Sequence, residues 1–413
     1  MDHVYSSIDI GSDSIKLVVL ELYKNHLNLL AATSTPSKGI KKGLIVDPKA
    51  AKDSIDKAFK EVEDMLGIPI KKVITAVPSY STEYKIIKGE TDVSGDIITS
   101  KDISNAYRAG IKEIINDDNE FVTLVPIDFK INGKTIMKDP KNFPGDKLLG
   151  RAMTVMAPKK NVYTVASILE SLDKEIEDIS ISSIGDINCF NSDNSLKDVG
   201  VVVNIGSEIT VVNLYNKGIP VNTKIINQGG KNIDEDIAYM YKIDILEAKN
   251  IKEKFALASK HNASNTDYYE TTDLDGKTIR IKQSEVSEIV MYRALEILNL
   301  VKNEINLLTN RPIKYIIVTG GVSNLVNFED VVRDVLGSNA YIGKIKLLGA
   351  RDNKYSTVIG NIIYFIGTLK LKGQDYTMLS KRDMEILSSP DKHLINTSDE
   401  TMLGKVFGYF FGE

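Results

Sequence analysis

The chain has 413 residues, 42% of them hydrophobic and 26% charged, with a formal net charge of -4. That fits a soluble globular protein of two to four domains at roughly 100–200 residues each, and an acidic balance without a basic, aromatic-interleaved patch excludes nucleic acid as the expected partner. The single cysteine, Cys189, rules out an internal disulfide and suits a reducing cytoplasm. The histidines (His3, His26, His261, His393) show no metal or triad spacing, no signal peptide opens the chain, and no run approaches the roughly 20 apolar residues that would span a bilayer.

In chain order, Ser7-Ile8-Asp9-Ile10-Gly11-Ser12-Asp13-Ser14-Ile15-Lys16-Leu17-Val18-Val19 reads as strand, tight turn and strand, and a third strand is expected over 27–33. Asp47 and Pro48 supply an N-cap and a first helical residue. Ala51, Ile55, Ala58, Phe59, Val62 and Leu66 then recur at helical spacing until Gly67. A buried-type strand over 72–77 stops at Pro78. From Tyr80 the texture changes to short strands (83–88, 121–131, 149–157) around a helix over 100–115, so 80–160 reads as an inserted α+β subdomain. A helix over 161–175, a strand over 179–184 and a short helix near 186–190 complete the first half.

The second half opens on a repeat of the first motif. Val201-Val202-Val203-Asn204-Ile205-Gly206-Ser207-Glu208-Ile209-Thr210-Val211-Val212 again runs strand, Asn or Asp, Ile, Gly, Ser, acidic residue, strand. A strand over 221–226 leads to Gly229-Gly230 and a helix over 232–241. A mixed helical stretch (245–259), a polar loop (267–275) and a long helix (284–308) follow. A strand over 315–318 runs into Thr319-Gly320-Gly321-Val322, with a helix over 328–336. The globular part is expected to end near 371, and 373–400 reads as a flexible tether. At the end, Leu403, Val406, Phe407, Phe410 and Phe411 share the broad apolar face of an amphipathic segment, which suits a helix lying in a membrane interface.

The chemistry these elements could support is anion binding. Glycine permits close backbone approach, successive N–H groups of a turn can point at a phosphate, and serine adds a hydroxyl. Gly229-Gly230 before one helix and Gly320-Gly321 after a strand are further places for a ligand. Any one of these is equally a hairpin turn or a helix cap. Their recurrence at matched points of two α/β halves points to a phosphate-bearing ligand held between the halves.

These motifs, with Lys16 after the first turn, resemble the actin, sugar-kinase and heat-shock chaperone ATPase superfamily. Within it the chain is similar, over essentially its whole length, to the FtsA family of bacterial actin-like cell division proteins. The likeness is carried by Ser7-Ile8-Asp9-Ile10-Gly11-Ser12 with Lys16, Phe121-Val122-Thr123-Leu124-Val125-Pro126-Ile127-Asp128-Phe129 in the insert, Asp236-Ile237-Ala238, and Val318-Thr319-Gly320-Gly321. The resemblance implies an α/β, actin-like ATPase fold: two duplicated halves around a nucleotide cleft, with an inserted small α+β subdomain. The implied subdomains are IA (1–79 and 161–198), IC (80–160), IIA (199–230 and 312–372) and IIB (231–311). A linker (373–400) and an amphipathic membrane-targeting helix (401–413) would follow.

It further implies ATP and Mg²⁺ as cofactors. Asp9, Gly11, Ser12, Asp13, Lys16, Asn204, Gly206, Ser207 and Glu208 would surround the phosphates, with Asp9 toward the metal. Gly229, Gly230, Lys249, Lys252, Gly320, Gly321 and Val322 would surround the nucleoside. The implied partners are a second copy in filaments, the C-terminal peptide of FtsZ on 231–311 with Arg293 as its cation, and membrane lipid through the last helix. The setting would be the inner face of the cell membrane at the septum. Three departures lead us to expect at most a weak ATPase. Asn204 stands where superfamily ATPases usually have an aspartate for the metal's water shell, Ser182-Ser183 fall where a residue polarises the attacking water, and Lys249 replaces a ribose-binding glutamate. A pilus or secretion assembly adaptor and a small-molecule kinase of the same fold remain the alternatives.

Overall fold

The computed structural model describes residues 3–114, 118–190 and 197–388. In the first half, β1 (His3–Ile10), β2 (Ser14–Tyr23) and β3 (His26–Pro36) form an antiparallel meander. Lys24 and Asn25 both take positive φ at the β2–β3 turn, the conformation whose twist matches a tight hairpin. A two-residue ribbon, β4 (Ile40–Lys41) with β5 (Leu44–Ile45), leads into α1 (Pro48–Leu66). The cap is as expected: the Asp47 carboxylate accepts from the N–H groups of Lys49 and Ala50 at 3.1 Å, and Gly67 closes the helix at φ 62°. Ile55, Phe59 and Val62 bury that helix against β2 and β3. β6 (Lys72–Val77) then pairs parallel to β1.

The insert follows as β7 (Glu83–Asp92), α2 (Ser100–Lys112), β8 (Asn119–Ile131), β9 (Thr135–Met137) and β10 (Lys147–Pro158), with sheet order β7-β10-β8-β9. It has its own core, built on Ile87, Ile103, Tyr107, Phe129 and Leu148. The chain returns through α3 (Lys159–Glu170), β11 (Glu175–Ile181) beside β6, and α4 (Ser182–Cys189). The sequence placed this strand about four residues too late. Glu175, Glu177 and Asp178 belong to it because β11 is the sheet's edge and tolerates charge there.

The second half repeats the plan. β12 (Val199–Ile205), β13 (Thr210–Asn216) and β14 (Ile219–Ile226) form the meander, followed by α5 (Gly230–Tyr241) and α6 (Ile245–Lys254). A hairpin, β15 (Tyr268–Thr272) with β16 (Thr278–Lys282), occupies most of what reads in sequence as a polar loop. α7 (Gln283–Leu308), β17 (Tyr315–Thr319), α8 (Phe328–Leu336) and β18 (Ala340–Ile342) complete it. The orders β3-β2-β1-β6-β11 and β14-β13-β12-β17-β18 are the same topology twice.

α9 (Ser356–Lys372) joins the halves. Its Val358, Ile359 and Ile362 share one core with Val18 and Ile74 of the first sheet and Val202 and Ile317 of the second. Glycines let it press on α4: a Cβ at Gly360 would lie 1.7 Å from the carbonyl oxygen of Gly185.

The chain does not become a loose tether at Gly373. The Met378 N–H donates to the Val4 carbonyl at 2.9 Å, the Val4 N–H to the Thr377 hydroxyl at 3.0 Å, and Met378 and Leu379 are buried. α10 (Lys381–Ser388) follows. Two buried apolar residues in a polar stretch leave no periodicity to read. The rest of the expected linker and Leu403, Val406, Phe407, Phe410 and Phe411 lie outside the described residues, among which no helix is long and apolar enough to cross a membrane.

Candidate functional site

The two Gly-Ser turns are closed alike. The Gly11 N–H donates to the Ser14 carbonyl at 3.2 Å, and the Gly206 N–H to the Ile209 carbonyl at 3.0 Å. They face each other across a cleft lined by Asp9, Gly11, Ser12, Asp13, Lys16, Asn204, Gly206, Ser207 and Glu208, with Gly43, Ser79, Tyr80, Ser182 and Thr357 on the other walls. Every residue expected at the phosphates is therefore in one place.

The residues expected at the nucleoside form an adjoining shell packed on the second turn. The Gly230 N–H donates to the Gly206 carbonyl at 2.9 Å and the Lys231 N–H to that of Ser207 at 2.8 Å, so the start of α5 is stitched to the turn. Gly229 has to be glycine for this, because a Cβ there would lie 2.5 Å from the Gly206 and Ser207 carbonyl oxygens. Val322 packs on Gly230, where a Cβ would meet its methyl at 2.8 Å. Gly320, at φ 91°, brings its backbone against the side chain of Asn204, while nothing stands within 4 Å of where a Gly321 Cβ would be.

Lys252, expected around the nucleoside, has partners of its own. It is buried, paired with Asp234 at 2.6 Å, and donates to the Gly230 carbonyl at 3.2 Å. Burial pushes Asp234 up to about 6 against the attraction of that lysine. Lys249 instead reaches across the cleft mouth to Asp13 of the first turn at 2.6 Å. Glu208 is likewise engaged. Its carboxylate accepts from the Lys42 backbone N–H at 2.6 Å and pairs with Lys231 at 2.8 Å. Burial favours its neutral form, but these partners outweigh burial and hold its pKa below the usual value.

Lys16 pairs with Asp9 at 3.3 Å. Ser12 accepts from the Gly43 N–H at 2.7 Å, and Ser182 shares a hydrogen bond with Ser79 at 2.9 Å on the cleft wall. Ser183 is buried against Tyr84, away from the cleft. Behind the wall is a carboxylate that sequence reasoning missed, Asp186 on α4. It accepts from Asn204, Ser356 and Thr357, each at 2.8 Å.

These groups fit a nucleotide triphosphate with its cation. Lys16 and the two turns offer an ammonium, hydroxyls and backbone donors, and Gly321 leaves open space beside them. Among the described residues no cluster of three or more His, Cys, Asp or Glu could hold a metal unaided. A magnesium ion would have to come in on phosphate oxygens with Asp9 beside it, which is how Mg²⁺ is usually held in phosphate sites.

A family model described as cell division protein FtsA matches residues 201–360, and one described as the SHS2 domain inserted in FTSA matches 81–156, together more than half of the chain. The chain belongs to the FtsA family. It is 27% identical to cell division protein FtsA of Bacillus subtilis (strain 168) over 379 residues, covering 90% of this chain and 86% of that one. Two solved structures share the actin-like fold. The PilM–PilN type IV pilus biogenesis complex has 16% identity and a TM-score of 0.58 over 87% of this chain and 98% of that one. MreB5 of Spiroplasma citri bound to AMPPNP has 14% identity and a TM-score of 0.55 over 91% and 100%.

Arg293, expected as a cation open to an acidic peptide, is taken up within this FtsA-family chain. Its guanidinium makes a two-pronged pair with Asp236 at 2.7 and 2.9 Å and another with Glu296 at 2.8 Å. A helix-borne arginine with an i+3 glutamate and a carboxylate on the neighbouring helix satisfies itself; Glu296 can be read from the α7 sequence, but Asp236, on α5, cannot.

Proposed function

We propose that this chain binds ATP between its two glycine turns, assembles into filaments, and holds FtsZ filaments against the inner face of the cytoplasmic membrane at the division septum, where it recruits other division proteins. The observation that carries the nucleotide part is the meeting of two duplicated Gly-Ser turns, with Lys16 and Asp9, in one cleft of an FtsA-family fold. MreB5 of the same fold takes AMPPNP, in keeping with this reading. Hydrolysis is at most weak, because Asn204 carries no charge and Ser182 is a poor base.

The FtsZ C-terminal peptide is assigned to 231–311. Arg293 is already paired, so it would meet that peptide only by exchanging Asp236 or Glu296 for it. The apolar face carrying Leu403, Val406, Phe407, Phe410 and Phe411 supplies the membrane contact, each buried side chain being worth about 1.5–3 kcal/mol. Liposome co-sedimentation tests this. The full chain should pellet with vesicles and carry FtsZ down, and a chain ending before Thr401 should do neither. Should the shortened chain still bring FtsZ to the vesicles, the tether is not the C-terminal segment.

A further inference from the structure

Asp186 is fully buried, yet it stands only one side chain behind the cleft. Two of its three hydrogen-bond partners, Asn204 and Thr357, line the cavity, and the third, Ser356, begins α9. Burial pushes the Asp186 carboxyl up to about 6, while its hydrogen-bond donors pull the other way, toward the charged form it holds above that value. The positive end of a helix dipole and two hydroxyl donors meet one carboxylate oxygen, and an amide N–H meets the other. Gly185 and Gly360 let α4 and α9 approach closely enough to put it there.

The consequence falls on Asn204. An ionised carboxylate can only accept, so the amide has to present its N–H to Asp186, and its Oδ1 is fixed as the group left over. That oxygen lies at the Gly320 turn, 2.5 Å from where a Cβ would stand. Asn204 alone is a neutral acceptor with two possible orientations. Backed by Asp186 it has one orientation, and a full negative charge sits behind it.

We infer that Asp186 is the positioning carboxylate of the cleft: it orients Asn204 so that its carbonyl oxygen accepts from the water shell of a nucleotide-bound divalent cation, and it supplies from behind the wall the negative charge that the second turn lacks. This rests on the nucleotide reading above. Asp186 touches neither ligand nor metal. It acts through Asn204.

The test is the effect of Mg²⁺ on ATP affinity, measured by calorimetry on the full chain with Mg²⁺ and with EDTA. Mg²⁺ should tighten ATP binding to the native chain. D186N keeps a hydrogen-bonding group of the same shape, so Mg²⁺-free affinity should stay within about twofold while the gain from Mg²⁺ falls about tenfold. D186N/N204D keeps the acid–amide pair but exchanges its ends, and should regain the Mg²⁺ effect. A merely structural tie between α4, β12 and α9 predicts the opposite pattern: D186N would alter the unfolding midpoint and leave the Mg²⁺ effect intact. That result overturns the inference, as does an exchange variant no better than D186N. If D186N does not fold, N204A must lose the Mg²⁺ effect instead, and its retention overturns the inference equally. A native chain that binds ATP without any gain from Mg²⁺ refutes this role alone. A native chain that binds no ATP refutes the nucleotide reading as well.

Discussion

Across the β1–β2 ladder Asp9 stands opposite Lys16, and at the same register of the β12–β13 ladder Asn204 stands opposite Val211. The backbones are alike, each turn closed by a glycine N–H to a carbonyl three residues on. The charges are not. The first turn carries a carboxylate and neutralises it with a lysine on the next strand. The second has no room for a cation, since Val211 is buried, and it keeps an amide that leans on Asp186. A duplicated fold thus preserves hydrogen-bond geometry while each copy solves its own electrostatics.

The comparison breaks most sharply at Asn204. N204D would put a second carboxylate 2.8 Å from Asp186 with valine, not lysine, across the ladder. Two carboxylates in contact cannot both ionise cheaply, so the pair holds a shared proton and its folded-state pKa rises. Stability of N204D should then be near native in mild acid and fall as pH rises through that raised value. We expect a loss of about 3 kcal/mol at pH 8, read from urea unfolding at pH 5 and 8. D186N/N204D should recover most of it. The next effect belongs to the first turn. K16M removes the ammonium that serves both Asp9 and an incoming phosphate, and a charge-assisted bond of about 1.5–3 kcal/mol corresponds to an ATP affinity lower by about 10–100-fold in a titration.

The first turn was readable because its chemistry is local. Asp9, Gly11, Ser12 and Lys16 lie within eight positions and meet one another across one ladder. The second was readable only in part. Asp186 is 18 positions upstream of Asn204 and 170 short of Ser356, so no spacing announces it, and an aspartate after glycine in a short helix looks like a solvated end. The ion pair of Lys252 is hidden for the same reason, its partner Asp234 being on another helix. The β15–β16 hairpin escapes a sequence reading because β15 (Tyr268–Thr272) puts only Tyr269 and Thr271 on its inner face, and the alternation of Ile279 and Ile281 in β16 runs for just five residues. What the sequence showed well was repetition. The glycine turns, the Asp47 cap and the α8 bounds all follow from local rules that tertiary packing did not override.

The remaining contrast concerns how each turn is caught by the opposite half. Asp13 of the first turn holds Lys249 of α6, a half-exposed pair, whereas Glu208 of the second holds the Lys42 backbone and Lys231. Cutting the first contact with K249M should shift stability by under about 1 kcal/mol. It should nonetheless speed release of a fluorescent ATP analogue a few-fold, because that contact spans the cleft mouth, and D13K/K249D should slow it again. The Glu208 contact is smaller in effect and separable by pH. Its folded pKa lies below the ordinary 4.5, so the contact is at full strength above that value and is lost as pH falls through the lowered one. E208Q forgoes the charge at every pH. The gap in unfolding midpoint between native chain and E208Q should therefore be widest near neutrality and close on acidification. A gap of constant size would mean that Glu208 holds Lys42 and Lys231 by shape and neutral hydrogen bonds, and that only the first turn uses charge to reach across the cleft.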